Sequence, residues 1–175
     1  MINKNNLKYL LISLIITSIF GSRSAIGQEH KTIKDYFLNL PSSYLRITSG
    51  DKQLDRSERI RTLKIVDINN GYLQTTGDTC FHELAIFKRS KGSPLVVINK
   101  ICTVGDSISI VDPDLRWKDI TSQVFPLQTL KSNSEMGVII KLPRQGKVIT
   151  IRDDSRSVRW RIEFKQDRFQ AKKNF

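Results

Sequence analysis

Residues 158–165 (VRWRIEFK) alternate apolar and polar at every step. Val158, Trp160, Ile162 and Phe164 point one way; Arg159, Arg161, Glu163 and Lys165 point the other. A two-residue period is that of a strand with one face on a core and one in water. Other stretches read as strands on composition. Residues 63–69 (LKIVDIN) end at Asn70-Gly71, a pair suited to a two-residue hairpin turn because both positions favour positive φ, and 72–76 return. Residues 80–87 (CFHELAIF) and 95–102 (LVVINKIC) flank KRSKGSP, where Gly92 and Pro94 mark a turn. Gly105-Asp106 starts another turn before a strand over 107–111. A further hairpin joins 137–142 to 147–152 around 143–146. Helical spacing occurs earlier. Residues 32–40 (TIKDYFLNL) place Ile33, Tyr36, Phe37 and Leu40 on one face, begin with a Thr32/Asp35 cap and stop at Pro41. Residues 51–61 form a second candidate helix, with Leu54 and Ile60 inward. Residues 128–135 read as a loop, and 170–175 as a frayed tail. The expected fold is α+β: one or two N-terminal helices packed on a mostly antiparallel meander sheet of seven or eight short strands.

The N-terminus breaks this pattern. Residues 1–8 are polar and basic, 9–20 (YLLISLIITSIF) carry no charge, and Ala25 and Gly27 are small residues where a signal peptidase reads. The layout predicts a secretory signal peptide over 1–27, cleaved after Gly27, and one mature domain over 28–175 with an ordered core of about 32–169. A spanning helix needs roughly 20 apolar residues, which this run does not reach. The expectation is an exported protein, periplasmic or extracellular, whose mature form has no membrane span. The chain carries +12; Lys4, Lys8 and Arg23 fall in the predicted signal, leaving +9. Such a charge attracts anions, and outside the cytoplasm these are anionic envelope components or acidic proteins rather than nucleic acid. Arg144, Lys147, Arg152, Arg159, Arg161 and Lys165 form the candidate anion-binding face. An ordinary solvated sheet face is the alternative.

Both cysteines lie in the strand pair over 80–102. If Phe87 faces Leu95 in an antiparallel hairpin, the same register sets Cys80 opposite Cys102. Opposed β-carbons lie about 4.5–5.5 Å apart, and a disulfide wants about 3.5–4.5 Å, so modest adjustment closes the bond. A one-residue slip would part the thiols, and two reduced, buried cysteines are the alternative. Other chemistry is sparse. The histidines are His30 and His82, and Ile86 stands where a two-histidine zinc motif starting at His82 needs its second ligand. Cys80 and His82 are about 6–7 Å apart along a strand, too far for a nucleophile and its base. Asp112 with Asp114 and Asp153 with Asp154 read as turn residues. No catalytic residue, cofactor or metal is expected. An enzyme whose carboxylates converge only on folding is the alternative class.

The segments DYFLNLPSSYL, NNGYL, ELAIFK, LVVINKIC and WKDITSQVFP resemble small secreted bacterial domains of unknown function, in which a helix ending in proline precedes an antiparallel sheet. KLPRQGKVITI and VRWRIEFKQDRF look like the C-terminal strands of that group. The resemblance implies fold and export and transfers no site residue. The helices-then-sheet order is also similar to the β-lactamase inhibitor protein fold, an analogy that implies an inhibitor-like protein-binding module as a further alternative.

Overall fold

The structure, a computed structural model, describes residues 31–45, 54–103, 105–126, 138–152 and 158–173. The predicted signal over 1–27, His30, the start of the second predicted helix, the loop over 128–135 and Asp153 and Asp154 lie outside these residues.

Helix α1 is Ile33–Asn39, closed at its start by the Thr32/Asp35 capping box. Its Ile33, Tyr36 and Phe37 are buried, as the spacing predicts. Helix α2 is Arg56–Arg61, capped by Asp55 with Glu58. Its inward residue is Arg59 at 6% exposure, not Ile60, which is 45% exposed. The reason is hydrogen bonding. The last carbonyls of a helix lack partners, and Arg59 donates to the carbonyls of Phe37, Leu38 and Leu40 at 3.2, 3.3 and 2.6 Å.

Ten strands follow among the described residues, where seven or eight were expected. They form two antiparallel sheets, not one meander. The first sheet runs in order β1 (Leu63–Asp67), β2 (Tyr72–Thr75), β3 (Cys80–Phe87), β4 (Leu95–Cys102), β5 (Gly105–Asp112) and β6 (Lys118–Asp119). A short helix, α3 (Thr121–Val124), packs beside β5. The second sheet is β7 (Ile139–Lys141), β8 (Val148–Arg152), β9 (Val158–Lys165) and β10 (Arg168–Lys173), in spatial order β10-β9-β8-β7. β10 reaches Lys173, where fraying from residue 170 was expected; it pairs with β9 along its whole length. The β1–β2 connection is a four-residue loop, Ile68–Gly71, and only Gly71 of the Asn-Gly pair has positive φ. A Cβ there would lie 2.3 Å from Ile86 Cγ1, so side-chain packing as well as φ demands glycine.

The two sheets exist because β3 and β4 are apolar on both faces. Leu84, Val96 and Ile98 pack with α1, while Ala85, Phe87, Leu95 and Val97 pack against Ile149, Ile151, Ile162 and Phe164 of the second sheet. Strands buried on both sides read as near-continuous apolar runs, and CFHELAIF and LVVINKIC are such runs. At one end of this core Phe87, Phe164 and Phe169 meet with centroids 4.8–5.4 Å apart. Each such pair adds about 0.5–1.5 kcal/mol beyond area burial. Cys80 faces Cys102 and Phe87 faces Leu95, in the expected register, and the disulfide is present with a Cα–Cα distance of 4.3 Å.

Candidate functional site

Burying Ile149, Ile151, Ile162, Phe164 and Phe169 turns the alternate positions of β8–β10 outward, and Ile140 does the same for β7. The outward positions form rows across the sheet. One row is Lys141, Thr150, Arg161 and Lys172, each opposite the next. A second is Val148, Glu163 and Gln170. A third pairs Lys165 with Arg168. Arg152 and Arg159 lie on the same face, beyond the first row. The described face therefore carries Lys141, Arg152, Arg159, Arg161, Lys165, Arg168 and Lys172 against the single acid Glu163. Glu163 takes Lys165 and Lys172 at 3.1 Å each, and these bonds hold its carboxyl below the usual range. Opposed like charges on a sheet are destabilising, yet the first row sets Arg161 directly opposite Lys172.

Of the six residues singled out from the sequence, the fold gathers Arg152, Arg159, Arg161 and Lys165 on this face. Arg144 instead pairs with Asp67 at 3.1 Å, beside the β1–β2 loop. Lys147, just before β8, belongs to a neighbouring cleft. Lys141, Arg168 and Lys172 were missed. The alternation of RFQAKK carried the signal for the last two.

The cleft, about 730 Å³, opens at the end of the sheet where the phenylalanines cluster. One wall is the β3–β4 connection with Lys88, Arg89 and Ser90; the other is the β9–β10 turn with Gln166 and Asp167. Ser90 ties the walls together by donating its N–H to Asp167 Oδ1 at 3.0 Å and its hydroxyl to Oδ2. These bonds hold the Asp167 carboxyl below its ordinary range. Arg89 is engaged elsewhere, with Asp112 at 2.7 Å and Asp114 at 2.9 Å. Gln166 and Asp167 have φ of 50° and 60°. A two-residue hairpin turn needs that conformation and normally takes Asn-Gly. Holding glutamine there costs roughly 1–2 kcal/mol.

No known protein family, curated protein or solved structure matches the chain.

His82 sits on the α1 side of β3 and is 0% exposed, with neither ring nitrogen hydrogen-bonded. Burial, with a smaller contribution from Lys100 opposite it, drives its pKa down to about 4. Two carboxylates do converge, on the other face of the sheet. Glu83 accepts from Tyr72 Oη at 2.9 Å and from the Leu142 N–H at 3.1 Å. Asp106 accepts from the Ile140 N–H at 2.7 Å, and Asn99 donates to the Ile140 carbonyl at 2.8 Å. Burial raises the Asp106 carboxyl, and burial beside Glu83 raises the Tyr72 phenol. These groups satisfy the outer edge of β7, which has no strand beside it among the described residues. They dock one sheet on the other and are separated from His82 by the sheet itself. No group of three metal-ligating side chains occurs among the described residues, and no described helix is long and apolar enough to cross a membrane.

Proposed function

We propose that the protein is an exported, non-enzymatic binding domain whose outer β7–β10 face docks an acidic polysaccharide of the cell envelope. The observation that carries this reading is the Lys141–Thr150–Arg161–Lys172 row, where Arg161 and Lys172 stand directly opposite each other and Thr150 alone separates them from Lys141. A sheet under no demand to bind anions gains stability by alternating its charges. The make-up of the face favours a hydrophilic polymer over a bilayer or an acidic protein. Membrane-surface sites carry aromatic or large apolar anchors, and protein hot spots centre on buried aromatics and arginine. Here Trp160, Phe164 and Phe169 all point to the core, the centre of the face holds Thr150, Val148 and Gln170, and a lone exposed isoleucine, Ile139, stands at its β7 edge among the described residues. Export rests on the N-terminal layout, and the Cys80–Cys102 bond suits an oxidising compartment.

The test is binding to polygalacturonate, neutral dextran and anionic phospholipid vesicles at several salt concentrations. Polygalacturonate should bind, weaken steeply with salt and lose at least tenfold in affinity in the Lys141→Gln/Arg161→Gln/Lys172→Gln protein. The same triple change should leave the fold about as stable as before, because it removes both the Arg161–Lys172 repulsion and the exposed Lys172–Glu163 pair. Binding indifferent to salt and to the triple change, or preference for vesicles, would overturn the reading.

A further inference from the structure

We propose that the cleft between the β3–β4 connection and the β9–β10 turn is a subsite for one anionic sugar unit, with its carboxylate or phosphate on lysine and its hydroxyls on glutamine. The inference rests on the reading above and adds what sets the ligand's identity. Its volume, about 730 Å³ and open to solvent, has room for one sugar unit that continues out of the cleft.

The acids of the cleft are already engaged. Asp167 holds Ser90 with both oxygens, and Glu163 holds Lys165 and Lys172. Lys88 and Lys147 have no carboxylate within ion-pair distance among the described residues. Three ammonium groups thus surround the opening, two of them without an ion-pair partner. Gln166 and Gln170 each offer a donor and an acceptor beside them, which suits hydroxyl groups and does nothing for a bare ion. Both walls are braced. The Ser90–Asp167 bonds join them, and the phenylalanine cluster backs the floor through Phe164. A pre-organised site loses less on binding.

The turn supplies the second argument. Gln166 occupies a left-handed conformation that glycine would adopt without strain. Backbone strain of this kind collects where a side chain is needed for binding. The side chain in question lines the cleft. Lys165, Glu163 and Gln170 belong to both the cleft and the sheet face, so a polymer seated here by one unit continues onto the row of cations.

The experiment is titration of the whole protein with glucuronate, glucose 6-phosphate, inorganic phosphate and glucose, followed by amide chemical shifts. Shifts at Ser90, Lys147 and Gln166 with the anionic sugars, and none with glucose, are expected. Comparing glucuronate with glucose 6-phosphate decides between carboxylate and phosphate. Lys147→Gln should weaken the preferred sugar at least tenfold. Gln166→Gly should weaken it several-fold while raising the urea midpoint, an outcome that a purely structural glutamine would not give. The double change Lys141→Gln/Arg161→Gln on the sheet face, which keeps the Lys172–Glu163 pair, should leave monosaccharide binding intact. Phosphate alone binding as tightly as glucose 6-phosphate, or no shifts at the cleft while polygalacturonate still binds the face, would overturn the subsite and leave the docking face standing. Loss of all polygalacturonate binding would instead remove the parent reading.

Discussion

Acid should destabilise this protein through a single histidine. His82 is wholly buried and neutral, with a pKa of about 4 against 6.5 for the unfolded chain. Between those values the unfolded chain binds a proton that the native state does not. The stability from burying the neutral ring is complete above pH 6.5, is lost as pH falls, and stops falling near pH 4. The slope within that window is about 1.4 kcal/mol per pH unit. Between pH 7.5 and pH 4.5 the loss comes to roughly 2–3 kcal/mol. Other groups cloud the raw profile. Asp35 and Asp114, whose carboxyls are held below their ordinary values, lose their contribution at lower pH, while Asp106, held above, works in the opposite sense. A difference measurement removes them. Urea unfolding, followed by Trp117 and Trp160 fluorescence, should be compared for the natural protein and His82→Leu at both pH values. The variant should match or exceed the natural stability at pH 7.5, since leucine leaves no unpaired ring nitrogen. It should lose roughly 2–3 kcal/mol less on acidification. Equal losses in the two proteins, with unchanged m-values, would refute the buried neutral ring.

Three further outcomes follow from the packing. Replacing Cys80 and Cys102 by alanine opens a loop of sequence separation 22 and should cost about 3 kcal/mol in urea unfolding, with no change in sheet content by circular dichroism. Glu83→Leu strands the Tyr72 hydroxyl and the Leu142 N–H and should cost about 2–4 kcal/mol, whereas Glu83→Gln should cost clearly less. Arg59→Met removes three hydrogen bonds from the end of α1 and should cost about 2–3 kcal/mol, with amide exchange quickening first in residues 36–40.

The local structure was legible where chemistry repeats at short range. VRWRIEFK named its own strand and the face it buries, Thr32 with Asp35 named the start of α1, and the hairpin register named the cysteine pair. What failed depended on partners. Ile60 was expected inside because leucine-like residues usually go there, but distant carbonyls of α1 drew Arg59 in. Asn70-Gly71 suggested a two-residue turn, yet the Asp67 side chain accepts from Asn70 and widens the loop to four residues. The tail was expected to fray as a chain terminus, yet it pairs with β9 through a tight turn at Gln166-Asp167, where neither residue is the glycine that would have signalled a hairpin.

Sequence by itself determined the register of the cysteine hairpin and the wet side of β9, because a short connection and a two-residue period leave little freedom. It also set the surplus of positive charge and pointed to the stretch that carries much of it. Tertiary structure alone decided that there are two sheets, because an apolar face does not say what will cover it. It alone sent Arg144 to Asp67 and built the cleft from Ser90 and Asp167, 77 residues apart. Contacts at that separation follow from how the sheets stack, and neighbouring residues carry no record of it.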